Sequence, residues 1–367
     1  MSQIQPAIGE LRRGAAEFPL MIVISTVYPC NFGCPSCPYS TDNSELRQVY
    51  SGLGGDYIDE ELWNKIAVEA GPYGAWLRCT GGGEPMMHKR MVPMIERAKE
   101  EGCRIWLNTN GSLFGPSKVR RVDLRRVIAA GTDLIEFSMD AGDAETYAVV
   151  RPPLKGTGGE PEKRWQEQVS NVRAALDLRK ELRSMTRVVV SIIRQEAIEG
   201  RLESAQRFWI DEVGVDEVIT RKFLNWDDNT SFGHERALDG SLYRPEIWKS
   251  PPGPCVWPFE RMNVDSVGRV ALCGQDISFR TAPLFPNLKD ASIRDIWTGE
   301  TFTRYREAHL AGTGGELFPC RGCSAWFAGV RDWKHGWIQV LQKSGDNLRR
   351  VMEEDLGYSV DVFTPEE

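Results

Sequence analysis

The sequence lacks any segment that would carry it into or across a membrane. Its longest early apolar run, Leu20 to Val27, is far shorter than the roughly 20 apolar residues of a membrane-spanning helix. Residues 1–19 contain two glutamates and two arginines but no apolar core of a signal peptide. We therefore expect a cytoplasmic protein without a membrane partner.

An excess of positive charge is also missing. The 367 residues include 45 Lys and Arg against 52 Asp and Glu, which gives a formal net charge of −7. Proteins that bind the phosphates of nucleic acids or of anionic lipids carry basic surfaces. We expect neither partner, which leaves small molecules or peptides. The 41% hydrophobic and 26% charged residues are ordinary for a globular protein.

Cysteine, in contrast, is abundant, with nine residues. Because the cytosol keeps thiols reduced, metal binding explains them better than disulfides do. Cys30, Cys34 and Cys37 are spaced C-x3-C-x2-C directly after the apolar run, and three such thiolates hold three irons of an iron–sulfur cube while the fourth iron stays open. The alternatives are a zinc knuckle, which needs a fourth ligand nearby, and an accidental cluster of buried thiols.

Apolar strand patterns and amphipathic helix patterns alternate over the first 222 residues. Six β-α units with short connections predict a parallel sheet, and curling of that sheet gives a partial barrel of the TIM kind. The predicted strands lie near residues 20–25, 75–79, 104–107, 133–139, 187–193 and 217–222, and the predicted helices near 59–70, 91–101, 119–130, 163–182 and 202–212.

Polar residues follow the predicted strands at their carboxyl ends. Gly82, Gly83 and Glu84 follow the second strand, where glycines allow backbone to approach a ligand and a carboxylate can pair with a cationic amine. Other strand ends offer hydroxyl, amide, carboxylate or guanidinium groups, although ordinary turn or cap residues are the alternative for each. These residues are Asn108, Asn110, Ser138, Asp140, Ser191 and Arg194.

A second set of cysteines lies beyond a stretch without sustained periodicity, residues 225–254. The first two cysteines of this set, Cys255 and Cys273, lie on either side of a predicted hairpin around the turn 265–268. A predicted helix near 293–309 precedes the last two, Cys320 and Cys323, which are spaced C-x2-C. Four thiolates also suit tetrahedral zinc. The second set thus consists of Cys255, Cys273, Cys320 and Cys323. Of the remaining two cysteines, Cys79 lies inside a predicted strand and Cys103 begins one, so both are expected to be core residues. The alternative is that one of these two thiols donates a hydrogen atom in the reaction.

These motifs resemble those of the radical S-adenosylmethionine (SAM) superfamily. The first three cysteines match its signature, and Gly82, Gly83 and Glu84 match the Gly-Gly-Glu motif that receives the amino group of SAM. The resemblance implies further SAM contacts at the other strand ends, namely Asn110, Ser138, Asp140, Ser191 and Arg194. The family commonly has an aromatic residue before the third cysteine, where this sequence has Ser36, so Phe32 or Tyr39 is expected to replace its stacking surface.

The second cysteine set resembles the SPASM/twitch extension of many radical SAM enzymes. A full SPASM domain binds two auxiliary clusters and needs more than the four cysteines present here, so one auxiliary cluster is expected. The resemblance thus implies two 4Fe-4S clusters and SAM as cofactors, and flavodoxin or ferredoxin as electron donor. The expected fold is α/β, a partial (β/α)6 TIM-like barrel followed by a small α+β SPASM/twitch domain.

The predicted domains follow from these assignments. They are an N-terminal extension at 1–19, the barrel at 20–224, a linker at 225–254, the auxiliary cluster domain at 255–329 and a C-terminal helix with a tail at 330–367. Helical spacing of aromatic residues in the last segment predicts packing on the domains, and a substrate lid is the alternative.

The resemblance also implies a chemistry. In the family, the reduced first cluster cleaves SAM, and the resulting 5'-deoxyadenosyl radical removes a hydrogen atom from carbon. The extension resembles that of antibiotic-pathway sugar and aminocyclitol dehydrogenases and epimerases, and a fully ligated auxiliary cluster accepts an electron. We therefore expect an oxidoreductase that dehydrogenates an alcohol of a small polar substrate to a ketone in natural-product biosynthesis.

Three alternatives stay open. The first is a redox-neutral epimerase, decarboxylase or dehydratase acting on a sugar. The second is a peptide-modifying radical SAM enzyme, which the short segment before the first strand disfavours. The third is a zinc or scaffold protein. The catalytic base is unknown, and the unranked candidates are Arg221, Lys222, Asp227, Asp228 and His234.

Overall fold

The computed structural model describes residues 17–39, 55–80, 82–114, 121–154, 159–221, 255, 257–321 and 323. Most of the predicted N-terminal extension, the predicted linker and the predicted C-terminal helix lie outside the described residues. Among the described residues, no helix is both long and apolar enough to cross a bilayer.

Six parallel strands form the barrel sheet, in the order β6-β5-β4-β3-β2-β1. Each strand pairs with its neighbour in sequence, which confirms the predicted (β/α)6 arrangement. Every residue of β1 is buried, as expected for a strand that has neighbours on both sides. The strands are β1 (Met21–Ser25), β2 (Trp76–Thr80), β3 (Arg104–Thr109), β4 (Leu134–Ser138), β5 (Arg187–Ile193) and β6 (Glu217–Arg221).

The helices of the barrel follow the predicted positions closely. Asp59, for example, caps the first helix by accepting a hydrogen bond from the Leu62 amide at 2.7 Å. Two short helices, Ala144–Val150 and Glu196–Glu199, were not predicted, and the helix Leu202–Arg207 continues as a π-helix over Phe208–Val213. The helices are α1 (Glu60–Ala70), α2 (Met91–Glu100), α3 (Arg121–Ala129), α4 (Ala144–Val150), α5 (Pro161–Glu181), α6 (Glu196–Glu199) and α7 (Leu202–Arg207).

The cysteine-bearing extension is continuous with the barrel sheet, which was not predicted. Strand β7 (Arg261–Val264) pairs in parallel with β1 and antiparallel with β8 (Val270–Ala271), so that the sheet has eight strands. The single helix predicted near 293–309 is in fact two, because Gly299 adopts an extended conformation between them. The helices of the extension are α8 (Trp257–Glu260), α9 (Ile293–Thr298) and α10 (Glu300–Leu310).

Helix α1 ties the extension to the barrel by polar contacts. Glu69 accepts a hydrogen bond of 2.6 Å from the Ile293 amide, at the start of α9. Lys65 donates to the Ala291 carbonyl at 2.9 Å. The two cysteine sets therefore belong to one continuous structure.

The barrel interior holds a buried charge cluster centred on Glu136 of β4. Arg221 approaches its carboxylate at 2.8 and 2.9 Å, and Arg78 lies 3.7 Å away. Trp106 donates to the same carboxylate at 2.9 Å. Burial raises the pKa of Glu136, but the positive charges of Arg221 and Arg78 outweigh it and hold the pKa below its ordinary value. Glu136 is therefore ionised at neutral pH.

Glu136→Gln should destabilise the protein strongly, because it removes a buried carboxylate and leaves two partly buried arginines without their shared counter-charge. The expected loss in free energy of unfolding is about 3–5 kcal/mol, measured by denaturation of cluster-loaded protein followed by tryptophan fluorescence. The matched control is Glu96→Gln. Glu96 pairs with a single arginine, Arg126, through both carboxylate oxygens, and this pair lies on the surface. Its loss should lower the free energy of unfolding by only about 0–1 kcal/mol. Equal losses for the two variants would contradict the prediction.

The same comparison has a pH dependence. Because the folded-state pKa of Glu136 lies below its unfolded value, the stabilisation by its charge is present above the unfolded pKa and disappears as the pH falls through the folded pKa. The difference between wild type and Glu136→Gln should therefore shrink in acid.

Candidate active site and metal centres

The first cysteine loop leaves the carboxyl end of β1. Cys34 is buried, whereas Cys30 and Cys37 are partly exposed. The Cys37 amide donates to the Cys34 carbonyl at 3.1 Å. Burial, together with the negative charges of Glu84, Cys34 and Cys37, raises the pKa of Cys30 to about 12. The thiolates of Cys34 and Cys37 would thus repel that of Cys30, which is the situation that a bound metal relieves.

Segment 151–154, which follows α4, holds this loop from one side. The Gly33 amide donates to the Pro152 carbonyl at 2.9 Å, and the Leu154 amide donates to the Asn31 carbonyl at 3.3 Å. These backbone contacts fix the loop between its first two cysteines.

Arg151 brings a buried positive charge to Cys34. Its guanidinium contacts Oδ2 of Asp140 at 2.5 and 2.8 Å, while Oδ1 of Asp140 accepts from the Ile193 amide at 2.7 Å. Burial raises the pKa of Cys34, and the charge of Arg151 opposes that rise. Asp140 therefore acts in this structure as the residue that holds Arg151 beside the cysteine loop. Arg151 was missed in the sequence because the short helix before it was not recognised.

The Gly-Gly-Glu turn holds the loop from the other side. The Gly83 amide donates to the Val27 carbonyl and the Glu84 amide to the Pro29 carbonyl, both at 3.0 Å. A Cβ atom at Gly83 would lie 2.0 Å from the Pro29 carbonyl oxygen. The second glycine of the motif is therefore required for contact between the turn and the cysteine loop itself.

Glu84 joins the ends of β2 and β3. Its Oε1 accepts from the Met86 amide at 3.0 Å and from the Thr109 hydroxyl at 2.7 Å, and its Oε2 accepts from the Asn110 amide at 2.6 Å. Burial raises its pKa, although these hydrogen bonds oppose the rise. The Asn110 side chain donates to Asn31 at 2.9 Å and lies 4.0 Å from the Cys30 sulfur. Two strand ends and the cysteine loop thus meet.

The other predicted SAM contacts are placed less uniformly. Ser138 and Ser191 are register partners on β4 and β5, and Ser191 is buried. Arg194, which follows β5, turns its half-exposed guanidinium to Glu199 at 2.7 and 3.1 Å. Asn108 accepts from Arg78 at 2.8 Å, inside the barrel.

Phe32 and Tyr39, the two aromatic residues expected to stack on the adenine of SAM, also differ in position. Phe32 is buried and meets Tyr147 edge-on, with ring centroids 6.4 Å apart. Tyr39 is partly exposed and lies 5.9 Å from the ring of Tyr28. A Cβ atom at Gly82 would meet both tyrosines, at 2.5 and 2.8 Å. Tyr39, rather than Phe32, therefore borders the Gly-Gly-Glu turn.

The second cysteine set converges in the extension. Cys255, Cys273 and Cys320 are buried and Cys323 is partly exposed. Burial, together with the charges of Cys323, Cys320 and Cys255, raises the pKa of Cys273 well above its ordinary value, which indicates that the four thiols lie near one another. No three His, Cys, Asp or Glu side chains of the described ranges are arranged around a single metal ion. This arrangement is compatible with an iron–sulfur cube, because each thiolate of a cube binds a different iron and the ligands do not surround one ion.

His309 of α10 lies against this second set and was missed in the sequence. Its Nδ1 accepts from the Cys255 amide at 3.4 Å, and its Nε2 lies 3.4 Å from the Cys320 sulfur. Burial lowers the pKa of His309 to about 4. No cysteine spacing points to a histidine that contacts ligands from the preceding helix.

The donor atoms of both sets fit iron–sulfur clusters. Soft thiolates in buried surroundings are the ligands that such clusters require. The remaining two cysteines lie apart from them as predicted core residues. Cys79 is buried within β2, and Cys103 is buried before β3, where its thiol donates to the Ala67 carbonyl at 3.3 Å.

Comparison with protein families agrees with this geometry. Residues 24–190 match the model described as the radical SAM superfamily, and residues 255–324 match the model of the SPASM iron-sulfur cluster-binding domain. Among curated proteins, the chain is 24% identical over 361 residues to the PqqA peptide cyclase of Granulibacter bethesdensis, covering 94% of this chain and 86% of that protein. The PqqA peptide cyclase of Xanthomonas axonopodis pv. citri is 23% identical over 360 residues, covering 89% and 85%.

The solved structure of SuiB shows a similar fold. Streptococcus suis SuiB bound to its precursor peptide SuiA superposes with a TM-score of 0.58 at 12% identity, over 88% of this chain and 73% of that chain. BtrN in complex with AdoMet and 2-DOIA gives a TM-score of 0.47 at 14% identity, over 84% of this chain and 93% of that chain, and no conclusion is based on this match. From the two matched domains and the cysteine sets that lie within them, we conclude that the chain belongs to the radical SAM superfamily and has a C-terminal SPASM domain, with SAM, a SAM-binding 4Fe-4S cluster and an auxiliary cluster as its cofactors.

Proposed function

We propose that this radical SAM enzyme modifies a carbon of a peptide. The observation that carries the proposal is the alignment with PqqA peptide cyclases, which runs through both cysteine domains and covers 94% of this chain and 86% of one such protein. The fold that it shares with SuiB, which has been seen with a precursor peptide, is compatible with a peptide substrate. The comparisons do not support the expected small-molecule substrate, nor the expected alcohol dehydrogenase reaction.

We assign the cofactors to named residues. Cys30, Cys34 and Cys37 hold the SAM-binding cluster, and the second cysteine set holds the auxiliary cluster. Glu84 receives the ammonium group of SAM at the mouth of the barrel. When loaded, the first cluster and SAM supply a hydrogen-abstracting radical, and the auxiliary cluster supplies a one-electron acceptor. The predicted contacts Gly82, Gly83, Asn110, Ser138, Asp140, Ser191 and Arg194 surround the mouth or follow its strands.

The chain positions and shields the reacting carbon, since a carbon radical must be kept from water and other hydrogen donors. Of the candidate bases, Arg221 is already engaged in an ion pair with the Glu136 carboxylate at 2.8 Å. Lys222, Asp227, Asp228 and His234 lie outside the described residues.

The metal content tests the two ligand sets. Anaerobically reconstituted protein should contain about eight irons, and replacing Cys30, Cys34 and Cys37 with Ala should leave about four and abolish SAM cleavage. Iron analysis and detection of 5'-deoxyadenosine measure these results. The matched controls are Cys79→Ala and Cys103→Ala, which remove buried thiols outside both sets and should leave about eight irons. Zinc in the second set would overturn its assignment.

SAM affinity tests Glu84. Glu84→Gln should keep both clusters but weaken SAM binding by about 2–3 kcal/mol, because a charge-assisted hydrogen bond to the ammonium is lost. Titration calorimetry on cluster-loaded protein measures the affinity. Since Glu84 also accepts from Thr109 at 2.7 Å, Thr109→Val serves as the control that loosens Glu84 without removing its charge, and it should weaken binding much less. Wild-type affinity in Glu84→Gln would remove Glu84 from the SAM site.

The substrate class is tested with two matched panels. Reduced, reconstituted protein with SAM is given short synthetic peptides, or sugar and aminocyclitol metabolites. We expect 5'-deoxyadenosine to form with peptides. If the reaction joins two peptide carbons, one hydrogen leaves as an atom and the other as a proton plus an electron, so mass spectrometry should find a peptide two hydrogens lighter. Turnover of the sugar panel to ketones, without peptide turnover, would refute the peptide proposal and leave the superfamily assignment intact.

A further inference from the structure

We infer that His309 is a positioning residue that donates a hydrogen bond to the Cys320 sulfur and thereby raises the reduction potential of the auxiliary cluster. The inference rests on the proposed ligand assignment of the second cysteine set. It does not depend on the identity of the substrate.

The hydrogen-bond partners of the imidazole fix its tautomer. The Cys255 amide can only donate, and it points at Nδ1 over 3.4 Å, so Nδ1 carries a lone pair. A neutral imidazole then carries its proton on Nε2. That nitrogen lies 3.4 Å from the Cys320 sulfur. When Cys320 is a metal-bound thiolate, it has no proton to give, so the contact is an N–H donor facing a sulfur acceptor.

The fold holds the ring in this position. His309 is only 2% exposed, so water does not compete for its nitrogens. A Cβ atom at Gly314 would lie 2.4 Å from Nδ1 and 2.6 Å from Cε1 of the ring. The glycine therefore leaves the space that the imidazole occupies between Cys255 and Cys320.

The electrostatic consequence follows from the direction of the hydrogen bond. Reduction adds negative charge to the cluster and its sulfurs, and an N–H group aimed at a ligand sulfur stabilises that added charge. Hydrogen bonds to the sulfurs are among the factors that set cluster potentials, and groups that contact the ligands tune metal centres generally. Loss of this donor should lower the potential of the auxiliary cluster and leave the first cluster unchanged.

Two amide substitutions separate the donor from a merely structural contact. In His309→Asn, the short side chain can still accept from the Cys255 amide through Oδ1 but does not reach Cys320. In His309→Gln, the longer side chain places its amide nitrogen near the position of Nε2 and restores the donor. Glu307→Gln changes an exposed residue of the same helix and is the control for helix substitution.

The experiment is a potentiometric titration of reconstituted protein, followed by electron paramagnetic resonance, with iron analysis of each variant. At a fixed solution potential we expect a roughly tenfold lower ratio of reduced to oxidised auxiliary cluster in His309→Asn, which corresponds to about 59 mV for one electron. His309→Gln and Glu307→Gln should stay near wild type. An unchanged potential in His309→Asn, or equal shifts in the Asn and Gln variants, would overturn the inference.

Iron content distinguishes failure of the inference from failure of the ligand assignment. Wild-type protein with only about four irons would show that the second cysteine set holds no cluster. If only the His309→Asn variant loses the auxiliary cluster, the wild-type protein provides the test instead. Protein labelled with nitrogen-15 histidine should then show weak coupling between a histidine nitrogen and the reduced auxiliary cluster, together with an exchangeable proton. Absence of that coupling would overturn the inference.

Discussion

The pairing of β1 with β2 on one side and with β7 on the other is the constraint on which the rest of the structure depends. Met21 is the register partner of both Trp76 and Arg261. Because all three strands run in parallel, their carboxyl ends lie at one edge of the sheet, and each leads towards part of the chemistry. Strand β1 leads to the first cysteine loop, β2 to the Gly-Gly-Glu turn, and β7 to the hairpin before Cys273. A one-residue slip of β1 would exchange its two faces and separate these groups.

Buried charge has two distinct uses in this barrel. Glu136 is paired with Arg221 and Arg78 well inside the sheet, where the ions compensate one another. At the mouth, Asp140 holds Arg151 beside Cys34, so that a positive charge is held next to a position that becomes anionic when metal binds. The first arrangement is a closed network, whereas the second leaves the cation available to a thiolate.

The cysteines and the Gly-Gly-Glu turn could be predicted from the sequence because their chemistry is local. Three thiolates within eight residues constrain one another whatever the remaining chain does. Arg151 and His309 could not be predicted in this way, since each reaches its cysteine through the fold: Arg151 from the end of α4, and His309 from α10 across to Cys255. The parallel pairing of β7 with β1 was missed for the same reason. The sequence pattern of a hairpin shows its own turn but not the outer strand that it joins.

Two glycines near the cysteine sets have a packing role that the sequence did not indicate. Gly83 was expected to let backbone approach a ligand, yet the described contact is with the cysteine loop, 2.0 Å from where its Cβ would be. Gly314 was not singled out at all, because a glycine that makes room for a ring cannot be distinguished in sequence from one that serves a turn. Both positions show that glycine near a metal centre can be required by packing between protein segments.

The substrate was the least predictable property. Four cysteines in the extension predict one auxiliary cluster, and such a cluster is compatible with oxidation of a small alcohol. The number of ligands, however, describes how the metal is held and not which molecule approaches it. A one-electron acceptor serves ring closure in a peptide as well as ketone formation in a sugar, because both reactions remove two hydrogens from carbon or oxygen. Substrate choice must therefore depend on side chains around the barrel mouth that are independent of both cysteine motifs, and this is why similarity across the whole chain is informative where the motifs are not.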